Sequence, residues 1–330
     1  MESSYTEFNK YQNILITGGA GFIGNCLVRK LLKEYNFTIF NLDKLGYASD
    51  HKSIDYFLNQ NKDLIQRYNF LKVDLINKHE TQNAIKKSNP DLIIHLAAES
   101  HVDRSIEEPN IFVQSNVMGT FNLLEVVREY YHNLPEIRKQ RFKFHHISTD
   151  EVFGSLGING KFSEQTSYDP RSPYSASKAS SDHLVKAWFH TYDLPTIICN
   201  CSNNYGPWQF PEKFIPNIIL KALNGEFIPI YGDGKNVRDW LFVEDHVDAL
   251  ISVFLDGSPG SSFCIGGNNE RTNIELAFYI CNYLDEIHPR KDKYSNLIKF
   301  VDDRPGHDRR YGIDSTKIKS LLDWEEKYSF

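Results

Sequence analysis

The chain has 330 residues, of which 41% are hydrophobic and 24% charged, and its formal net charge is −6. This length allows one large domain or two modest ones, because single hydrophobic cores stop growing near roughly 250 to 300 residues. The acidic balance argues against a general nucleic-acid-binding or anionic-membrane-binding protein, and no apolar run approaches the ~18 residues of a membrane span. We expect neither a nucleic-acid partner nor a membrane partner.

Short β-branched apolar runs alternate along the chain with segments whose apolar residues recur at helical spacing. The predicted strands are Asn13–Thr17, Phe37–Leu42, Asn69–Val73, Asp91–Leu96 and Phe142–Ser148. The predicted helices are Phe22–Lys33, His79–Lys87 and Ile111–Tyr130. This alternation predicts an α/β protein with a Rossmann-type, doubly wound parallel sheet, whose ligands collect at the carboxyl ends of the strands.

After Asn200, prolines and the turn residues 231–234 interrupt this alternation and predict a second lobe. The chain then resumes regular structure, with predicted strands at Val237–Val243 and Phe263–Ile265 and predicted helices at Glu244–Leu255 and Asn273–Leu284. We therefore predict a Rossmann domain over residues 12–202 with a return segment at about 234–272. A smaller α/β lobe should comprise residues 203–233 and 273–330.

The first predicted strand ends in the glycine-rich segment Thr17–Gly24, which opens the first predicted helix. Such a turn lets the backbone approach a pyrophosphate closely, and the helix N-terminus attracts the negative charge. Asp43, just after the second strand, can accept hydrogen bonds from a ribose and favours NAD over NADP. Glycine-rich turns also close strands for steric reasons alone. Here strand, glycines, helix and acid agree, and the GxxGxxG spacing indicates an extended short-chain dehydrogenase/reductase.

Tyr174 and Lys178 lie four residues apart at the start of a predicted helix and so share one face. An isolated pair of this kind would be a surface feature. Downstream of a dinucleotide fingerprint it indicates a tyrosine base, because a nearby ammonium and the nicotinamide charge favour the phenolate.

The last predicted strand of the first domain leads into Thr149, Asp150 and Glu151. Two neighbouring carboxyl groups in different surroundings can act as a general acid and a general base. An Asp-Glu pair at a strand end is more often a solvated loop or a helix N-cap, so the pair alone does not establish chemistry. A plain dehydrogenase needs neither acid.

The motifs, taken together, closely resemble the dTDP-glucose 4,6-dehydratases, and UDP-glucose 4,6-dehydratases share most of them. The resemblance rests on Thr17–Gly24, Leu96–Ser105, Ser148–Gly154, Tyr174–Lys178, Asn203–Pro207, Gly234–Trp240 and Asp303–Tyr311. It implies an NAD-dependent lyase that converts dTDP-glucose or UDP-glucose to the 4-keto-6-deoxy sugar, a step in rhamnose-type deoxysugar biosynthesis.

By that resemblance, Tyr174 removes the C4 hydroxyl proton and Thr149 steadies the same hydroxyl. Glu151 abstracts the C5 proton and Asp150 protonates the departing C6 hydroxyl. Lys178 completes the expected catalytic group.

The resemblance also assigns binding residues. Those expected at the NAD site are Gly18, Gly21, Phe22, Ile23, Gly24, Asp43, Lys44, Leu45, Gly46, Asp74, Leu75, Leu96, Ala97, Ala98, Glu99, Ser100, Ser115, Tyr174, Lys178 and Asn204. Those expected to bind the nucleotide sugar are Ser100, Thr149, Asn203, Lys213, Phe214, Pro229, Ile230, Tyr231, Arg238, Asn273, Asp303, Arg304, Pro305, Gly306 and His307. Arg238 is the expected diphosphate ligand, because a guanidinium matches phosphate oxygens.

Two rival functions remain on the same fold. A nucleotide-sugar 4-epimerase or decarboxylase would use the glycines, Tyr174 and Lys178 but has no use for the acid pair. A catalytically silent nucleotide-sensing protein would be expected to lack these groups. We also expect a homodimer formed through the helices Ile111–Tyr130 and Tyr174–Tyr192, as in similar enzymes.

Location and metal content follow from the remaining features. The first twelve residues have neither the basic region nor the apolar region of a secretory signal. The closest of the five cysteines, Cys199 and Cys201, have a spacing that suits a strand better than a metal site. We expect reduced thiols, a cytoplasmic location and no metal.

Overall fold

The structure is a computed structural model that describes residues 11–330. The expectation about an N-terminal signal falls largely on residues 1–10, which lie outside the described residues. The strands are β1 (Asn13–Thr17), β2 (Thr38–Asp43), β3 (Tyr68–Lys72), β4 (Leu92–His95), β5 (Lys143–Thr149), β6 (Thr196–Cys201), β7 (Asn203–Tyr205), β8 (Ile228–Tyr231), β9 (Val237–Phe242), β10 (Ser262–Ile265), β11 (Glu270–Thr272) and β12 (Ile298–Val301).

Helices connect these strands. They are α1 (Phe22–Glu34), α2 (Lys52–Gln60), α3 (Lys78–Ser88), α4 (Val102–Glu107), α5 (Pro109–Phe112), α6 (Gly119–His132), α7 (Glu136–Lys139), α8 (Pro173–Tyr192), α9 (Phe214–Leu223), α10 (Val243–Asp256), α11 (Asn273–Ile287) and α12 (Thr316–Leu322). Short 3₁₀ helices occupy Lys62–Arg67, Asp150–Phe153 and Tyr294–Leu297, and a π-helical segment spans Val113–Met118.

Within residues 11–330, seven parallel strands form the main sheet in the order β10-β6-β5-β4-β1-β2-β3. Alternate residues of β1 enter opposite cores, because side chains of a strand point to alternate faces. Ile14 and Ile16 pack in the core that contains α1 and α10, whereas Leu15 packs in the core that contains α3 and α6. The predicted doubly wound α/β fold is confirmed.

The strand order reverses between β1 and β4, so their connections leave to opposite sides and open a crevice at their carboxyl ends. The glycine-rich segment follows β1, and Leu96 follows β4. Thr149 ends β5, the next strand along the sheet. The predicted cofactor-binding and catalytic residues therefore meet at this edge of the sheet. The order of the strands brings them together, although they are far apart in the sequence.

The second lobe has its own small core. A three-stranded sheet joins β11, β9 and β7, a two-stranded sheet joins β12 and β8, and α9 and α11 cover them. Ile228, Ile230, Trp240 and Leu276 are buried between these elements. Strand β10 and helix α10 return to the main sheet, whereas β9 belongs to the small three-stranded sheet. The domain bounds proposed from the sequence remain a prediction.

The expected helix Ile111–Tyr130 is not a single α-helix. Helix α5, the π-helical segment Val113–Met118 and α6 follow one another, so the helix is locally widened in its middle. The widened turn buries Asn116, whose amide accepts a hydrogen bond from Glu99 N and donates to Glu99 O and Ser177 Oγ. These bonds join the loop after β4 to α8.

The structure also bears on membrane association. Within residues 11–330, none of the helices combines the length and the apolar character that crossing a bilayer requires.

Candidate active site

A cleft at the carboxyl ends of β1, β4 and β5 gathers most of the predicted site residues. All five predicted catalytic residues line it, as do all the predicted cofactor residues except Leu45. Of the predicted substrate residues, those that line it are Ser100, Thr149, Asn203 and Lys213. Residues that line it without having been predicted are Leu42, Tyr47, Ala48, Ser49, Val73, Ile147, Ser148, Cys201, Ser202, Gln209 and Phe210.

The glycine-rich turn leaves no room for side chains. A Cβ on Gly18 would lie 2.6 Å from Ala97 N, and a Cβ on Gly24 would lie 2.2 Å from Gly18 O. Gly18 also has a φ of +74°, which L side chains rarely adopt. This tight turn leads directly into α1. The N–H groups at the N-terminus of α1 that lack an intrahelical partner can face an anion there.

Asp43 is fixed by three hydrogen bonds from the chain itself. Its carboxylate accepts from Ala20 N at 3.1 Å, from Leu45 N at 2.8 Å and from Ser49 Oγ at 3.1 Å. Leu45, in the left-handed region with φ +59°, contributes its backbone to this arrangement. Asp43 is thereby held in a fixed orientation where it lines the cleft.

Lys44 is held at the same edge of the cleft. Its ammonium lies 2.7 Å from Glu99 Oε1 and donates to Ser115 Oγ at 2.8 Å. Asn204, another predicted cofactor residue, accepts from His246 Nδ1 at 2.9 Å through Oδ1 and donates to Ser202 O through Nδ2. Because His246 is itself buried, these contacts hold the Asn204 side chain in place.

Tyr174 and Lys178 lie on the first turns of α8, which Ser172 and Ser175 begin with a reciprocal capping box. Lys178 is 4% exposed, and its ammonium donates to Ile147 O at 2.8 Å. Burial raises the pKa of Tyr174 well above its usual value, Glu151 adds to the increase, and a hydrogen bond with Thr149 opposes it. The lowered tyrosine pKa expected from the sequence is therefore not a property of the chain alone.

Asp150 and Glu151 open the short 3₁₀ helix that follows β5, and Thr149 caps it by accepting from Glu151 N at 3.3 Å. Burial raises the pKa of Asp150 well above its usual value, and Glu151 and Asp239 raise it further. Burial also raises the pKa of Glu151, but Arg304, Arg238 and Lys213 oppose that increase. Arg238 also opposes the raised pKa of Asp150, whereas Arg304 and Lys213 act on Glu151, and the pKa of Asp150 is raised further. These surroundings favour Asp150 over Glu151 as the protonated acid.

The remaining predicted substrate residues lie in the second lobe, outside the cleft lining. They are Phe214, Pro229, Ile230, Tyr231, Arg238, Asn273, Asp303, Arg304, Pro305, Gly306 and His307. Ile230 is fully buried in the lobe core. Arg238 is 6% exposed, donates to Val237 O and Asp308 O, and stacks over Tyr311. Two of the five N–H groups of the guanidinium thus meet backbone carbonyls, and its charge acts on Glu151. The expected contact of Arg238 with a diphosphate remains a prediction.

Asp103 joins the two lobes. Its carboxylate accepts from the Tyr231 hydroxyl at 3.0 Å and from Arg304 Nη1 at 3.1 Å. The Tyr47 hydroxyl makes a second connection by donating to Glu212 Oε1 at 2.7 Å. The lobe that carries Arg304 is therefore held against the first domain. Sequence patterns gave no signal for these pairs, because their members are distant in the chain.

Comparison with known proteins decides the family. The model of the GDP-mannose 4,6-dehydratase family matches residues 15–330. The dTDP-glucose 4,6-dehydratase of Salmonella typhimurium is 51% identical over 326 residues, covering 96% of this chain and 89% of the relative. The chain belongs to the dTDP-glucose 4,6-dehydratase family. The resemblance inferred from the motifs, and with it the assignment as a hydro-lyase, is confirmed.

Solved structures agree with this family assignment. The dTDP-glucose 4,6-dehydratase of Bacillus anthracis in complex with NAD has a TM-score of 0.84 and 42% identity, covering 97% of this chain and 93% of that chain. The Streptomyces venezuelae enzyme has a TM-score of 0.85 and 37% identity, covering 96% and 92%. A UDP-glucuronic acid 4-epimerase from Bacillus cereus also matches, with a TM-score of 0.82 and 27% identity over 96% and 94%. The fold is thus shared beyond the dehydratases.

The unequal surroundings of the two acids predict a pH-dependent gain in stability for Asp150→Asn. An unfolded aspartate ionises with a pKa of about 3.9. Because the folded-state pKa of Asp150 lies higher, wild type loses stability as the pH rises between these values. The amide never ionises, so urea unfolding should show a gain on the order of 1 kcal/mol at pH 8 and a smaller gain at pH 5.

Glu151→Gln is the matched variant, and its gain should be smaller because three cations already oppose the raised pKa of Glu151. Destabilisation of Asp150→Asn at pH 8, or a difference that does not change with pH, would contradict the assigned protonation of Asp150.

Proposed function

We propose that the protein catalyses the NAD-dependent 4,6-dehydration of dTDP-glucose to the 4-keto-6-deoxy sugar, a step in rhamnose-type deoxysugar biosynthesis. The observation that carries the proposal is the differentiated acid pair Asp150 and Glu151 beside Tyr174 in one cleft. Removal of water from C5 and C6 needs one group to take a proton and another to give one. Curated relatives at about half identity carry the name dTDP-glucose 4,6-dehydratase.

The cleft fits NAD. Gly18 and Gly24 allow the tight backbone packing of the turn that opens α1, whose N-terminus suits a pyrophosphate. The fixed carboxylate of Asp43 suits a ribose with free hydroxyls. The predicted cofactor residues that line the cleft would surround the rest of the molecule. When bound, NAD supplies reversible hydride transfer and a positive nicotinamide that favours the phenolate of Tyr174.

The chain's own groups then perform the proton transfers. Tyr174 takes the proton of the C4 hydroxyl, which Thr149 holds, as C4 is oxidised to the ketone. The ketone acidifies C5, Glu151 takes the C5 proton, and Asp150 gives its proton to the C6 hydroxyl, which leaves as water. Reduction at C6 and reprotonation at C5 complete a reaction in which the cofactor ends oxidised.

UDP-glucose is the second candidate donor. Thymine differs from uracil by one ring methyl, and a methyl contact contributes only ~1 kcal/mol, so selectivity can be loose. The curated relatives favour dTDP. A 4-epimerase shares the fold and the tyrosine chemistry, but needs no acid pair for elimination.

A labelling experiment tests the activity. Purified protein is incubated with dTDP-glucose carrying deuterium at C4, without added NADH, and the products are followed by NMR. We expect a 4-keto-6-deoxy sugar whose C6 methyl carries the label, and slower turnover of UDP-glucose. Tyr174→Phe, the matched control, should form no product. Return of deuterium to C4 with inverted stereochemistry would make the protein an epimerase.

Gly24→Ala should abolish the cofactor site. The new Cβ would meet Gly18 O at 2.2 Å, so the turn must shift away from the pyrophosphate. We expect the NAD content of the purified protein, and its affinity for added NAD by calorimetry, to fall roughly tenfold or more. Gly157→Ala is the control, since a Cβ there meets nothing within 4 Å. Equal NAD content in both variants would reject this binding mode.

We propose that the protein is a homodimer. The widened helix carries exposed apolar side chains, with Ile111, Val113 and Met118 each at least 40% exposed, and Tyr192 at the end of α8 is 42% exposed. Exposed apolar surface on packed helices suits an isologous interface.

Val113→Glu should therefore convert the dimer to monomer, because the interface would bury an unpaired charge. Sedimentation velocity at micromolar concentration measures this, and Ile158→Glu, at a 92% exposed loop position, should leave the dimer intact. A wild-type protein that sediments as monomer would refute the proposal. A dimer lost in Tyr283→Glu instead would move the interface to α11.

We also propose a cytoplasmic location. All five cysteines lie within residues 11–330, and each is free and buried, as expected for a protein in a reducing compartment.

Within residues 11–330, no group of three or more His, Cys, Asp or Glu side chains could hold a metal ion.

A further inference from the structure

The chain between β7 and α9 meets the loop after β2 at the cleft. Residues 206–213 form this connection and are called the bridging segment below. Phe210 and Lys213 of the bridging segment line the cleft, and so does Tyr47 from the loop after β2. Because these two stretches line one cleft and also touch each other, their contacts close that side of it. Tyr47 has no part in the proton transfers proposed above.

The Tyr47 side chain joins three parts of the chain that are far apart in the sequence. Its hydroxyl donates to Glu212 Oε1, in the bridging segment, at 2.7 Å. The guanidinium carbon of Arg104, on α4, lies 3.7 Å from the centre of the Tyr47 ring, which is the geometry of a cation–π contact. The Phe210 ring meets the same ring edge-on, with centroids 5.7 Å apart. The tyrosine ring is thus held from both sides of the contact.

The Glu212 carboxylate faces the first domain with both oxygens. Oε1 accepts from Tyr47, and Oε2 lies 3.9 Å from His101 Nε2. His101 Nδ1 accepts from Arg104 N at 3.4 Å, which leaves the imidazole proton on Nε2, the nitrogen that faces Glu212. Burial lowers the pKa of His101, so the ring is neutral at pH 7. Burial and Glu212 raise the pKa of Tyr47 well above its usual value, so its hydroxyl remains the donor.

A second hydrogen bond holds the bridging segment against the first domain. The Lys213 ammonium donates to Ser100 O at 2.8 Å. Both bonds have a charged partner and are therefore stronger than bonds between neutral groups. Lys213 is also a predicted substrate residue, so a substitution there would change substrate binding together with the closure. Tyr47 and Glu212 were assigned neither to the substrate nor to the chemistry, so they can be changed separately.

We propose that Tyr47 and Glu212 are positioning residues that hold this side of the cleft closed and so retain the reduced cofactor between the two hydride transfers. The inference rests on the proposed function, in which hydride passes from C4 to NAD and returns to C6. Escape of NADH between these steps would leave a sugar oxidised at C4 and not reduced at C6, and a protein without cofactor. A plain dehydrogenase exchanges its cofactor at every turnover, whereas this reaction requires that it stay.

The alternative role of the contact is to support the packing of the two lobes without any effect on the cofactor. The two roles differ in the rates at which the cofactor is exchanged. If the contact closes the cleft, its loss lets the cofactor leave faster and enter at least as fast. If the contact only supports packing, its loss lowers thermal stability and leaves both rates unchanged.

The test is a chase experiment on full-length protein loaded with ¹⁴C-labelled NAD, in which excess unlabelled NAD prevents rebinding of the label. Tyr47→Phe keeps the ring with its contacts to Arg104 and Phe210 and removes only the hydroxyl. We expect release to be roughly tenfold faster, as for loss of a hydrogen bond to a charged group, and association to be no slower than in wild type. Release at the wild-type rate would overturn the proposal. Slower association would also overturn it, because it indicates a distorted site.

Tyr56→Phe is the matched control. Its ring meets Trp208 of the bridging segment with centroids 6.1 Å apart, but Tyr56 is 59% exposed and does not line the cleft. We expect this variant to release the label at the wild-type rate. In Glu212→Gln the amide oxygen still accepts from Tyr47, so its release rate should lie between those of wild type and Tyr47→Phe. Release from Tyr56→Phe as fast as from Tyr47→Phe would contradict the proposal.

Wild type provides the last comparison. It should release the label more slowly than it turns over dTDP-glucose, and faster release would overturn retention during the reaction. The chase itself needs no turnover. Failure to dehydrate dTDP-glucose would therefore leave the measured closure standing and would count against the proposed function alone.

Discussion

Exclusion of water beneath the crevice is the constraint on which the site depends. Asp150, Tyr174 and Lys178 lie where three parallel strands end together, and burial drives each towards its neutral form. In the proposed reaction a neutral Asp150 can donate a proton, whereas a neutral Lys178 cannot favour the phenolate of Tyr174. The surroundings of each buried group must therefore favour the charged form of some side chains and the neutral form of others.

The second lobe supplies part of that selection. Glu151 shares the burial of Asp150, yet Arg304, Arg238 and Lys213 from the second half of the chain oppose its neutralisation. Arg304 is in turn fixed by Asp103 of the first domain. The contact between lobes therefore does more than enclose a ligand, because it makes two adjacent carboxyl groups unequal.

The sequence predicts the sheet well because strands such as β1 and β4 are mainly apolar runs buried on both faces. For β1 the predicted bounds equal those observed, and β2 to β5 differ at their ends by one residue. The glycine turn, Asp43 and the Tyr174–Lys178 pair are local patterns, and the structure brings them together in the cleft. Each of these features can be recognised from a short stretch of sequence.

Features that depend on contacts across the chain escaped prediction. Residues 47–49 line the cleft because Ser49 folds back onto Asp43, and no local pattern reveals this. No local pattern reveals that Val237 O, Asp308 O and the ring of Tyr311 contact the guanidinium of Arg238. The widening of the helix at Val113–Met118 is likewise absent from the apolar periodicity, which cannot distinguish an α turn from a π turn.

The overlap with a 4-epimerase structure at a TM-score of 0.82 shows how little of the fold is specific to elimination. Glycine cradle, tyrosine and lysine serve any reversible oxidation at a sugar hydroxyl. What elimination adds is a proton donor and a proton acceptor within reach of adjacent carbons. Here the proposed donor and acceptor, Asp150 and Glu151, both lie in the single 3₁₀ turn Asp150–Phe153. Thr149, which caps this turn, is hydrogen-bonded to Tyr174 and so places the turn next to the tyrosine. In the proposed reaction this turn and the charges around it supply what elimination requires beyond the oxidation.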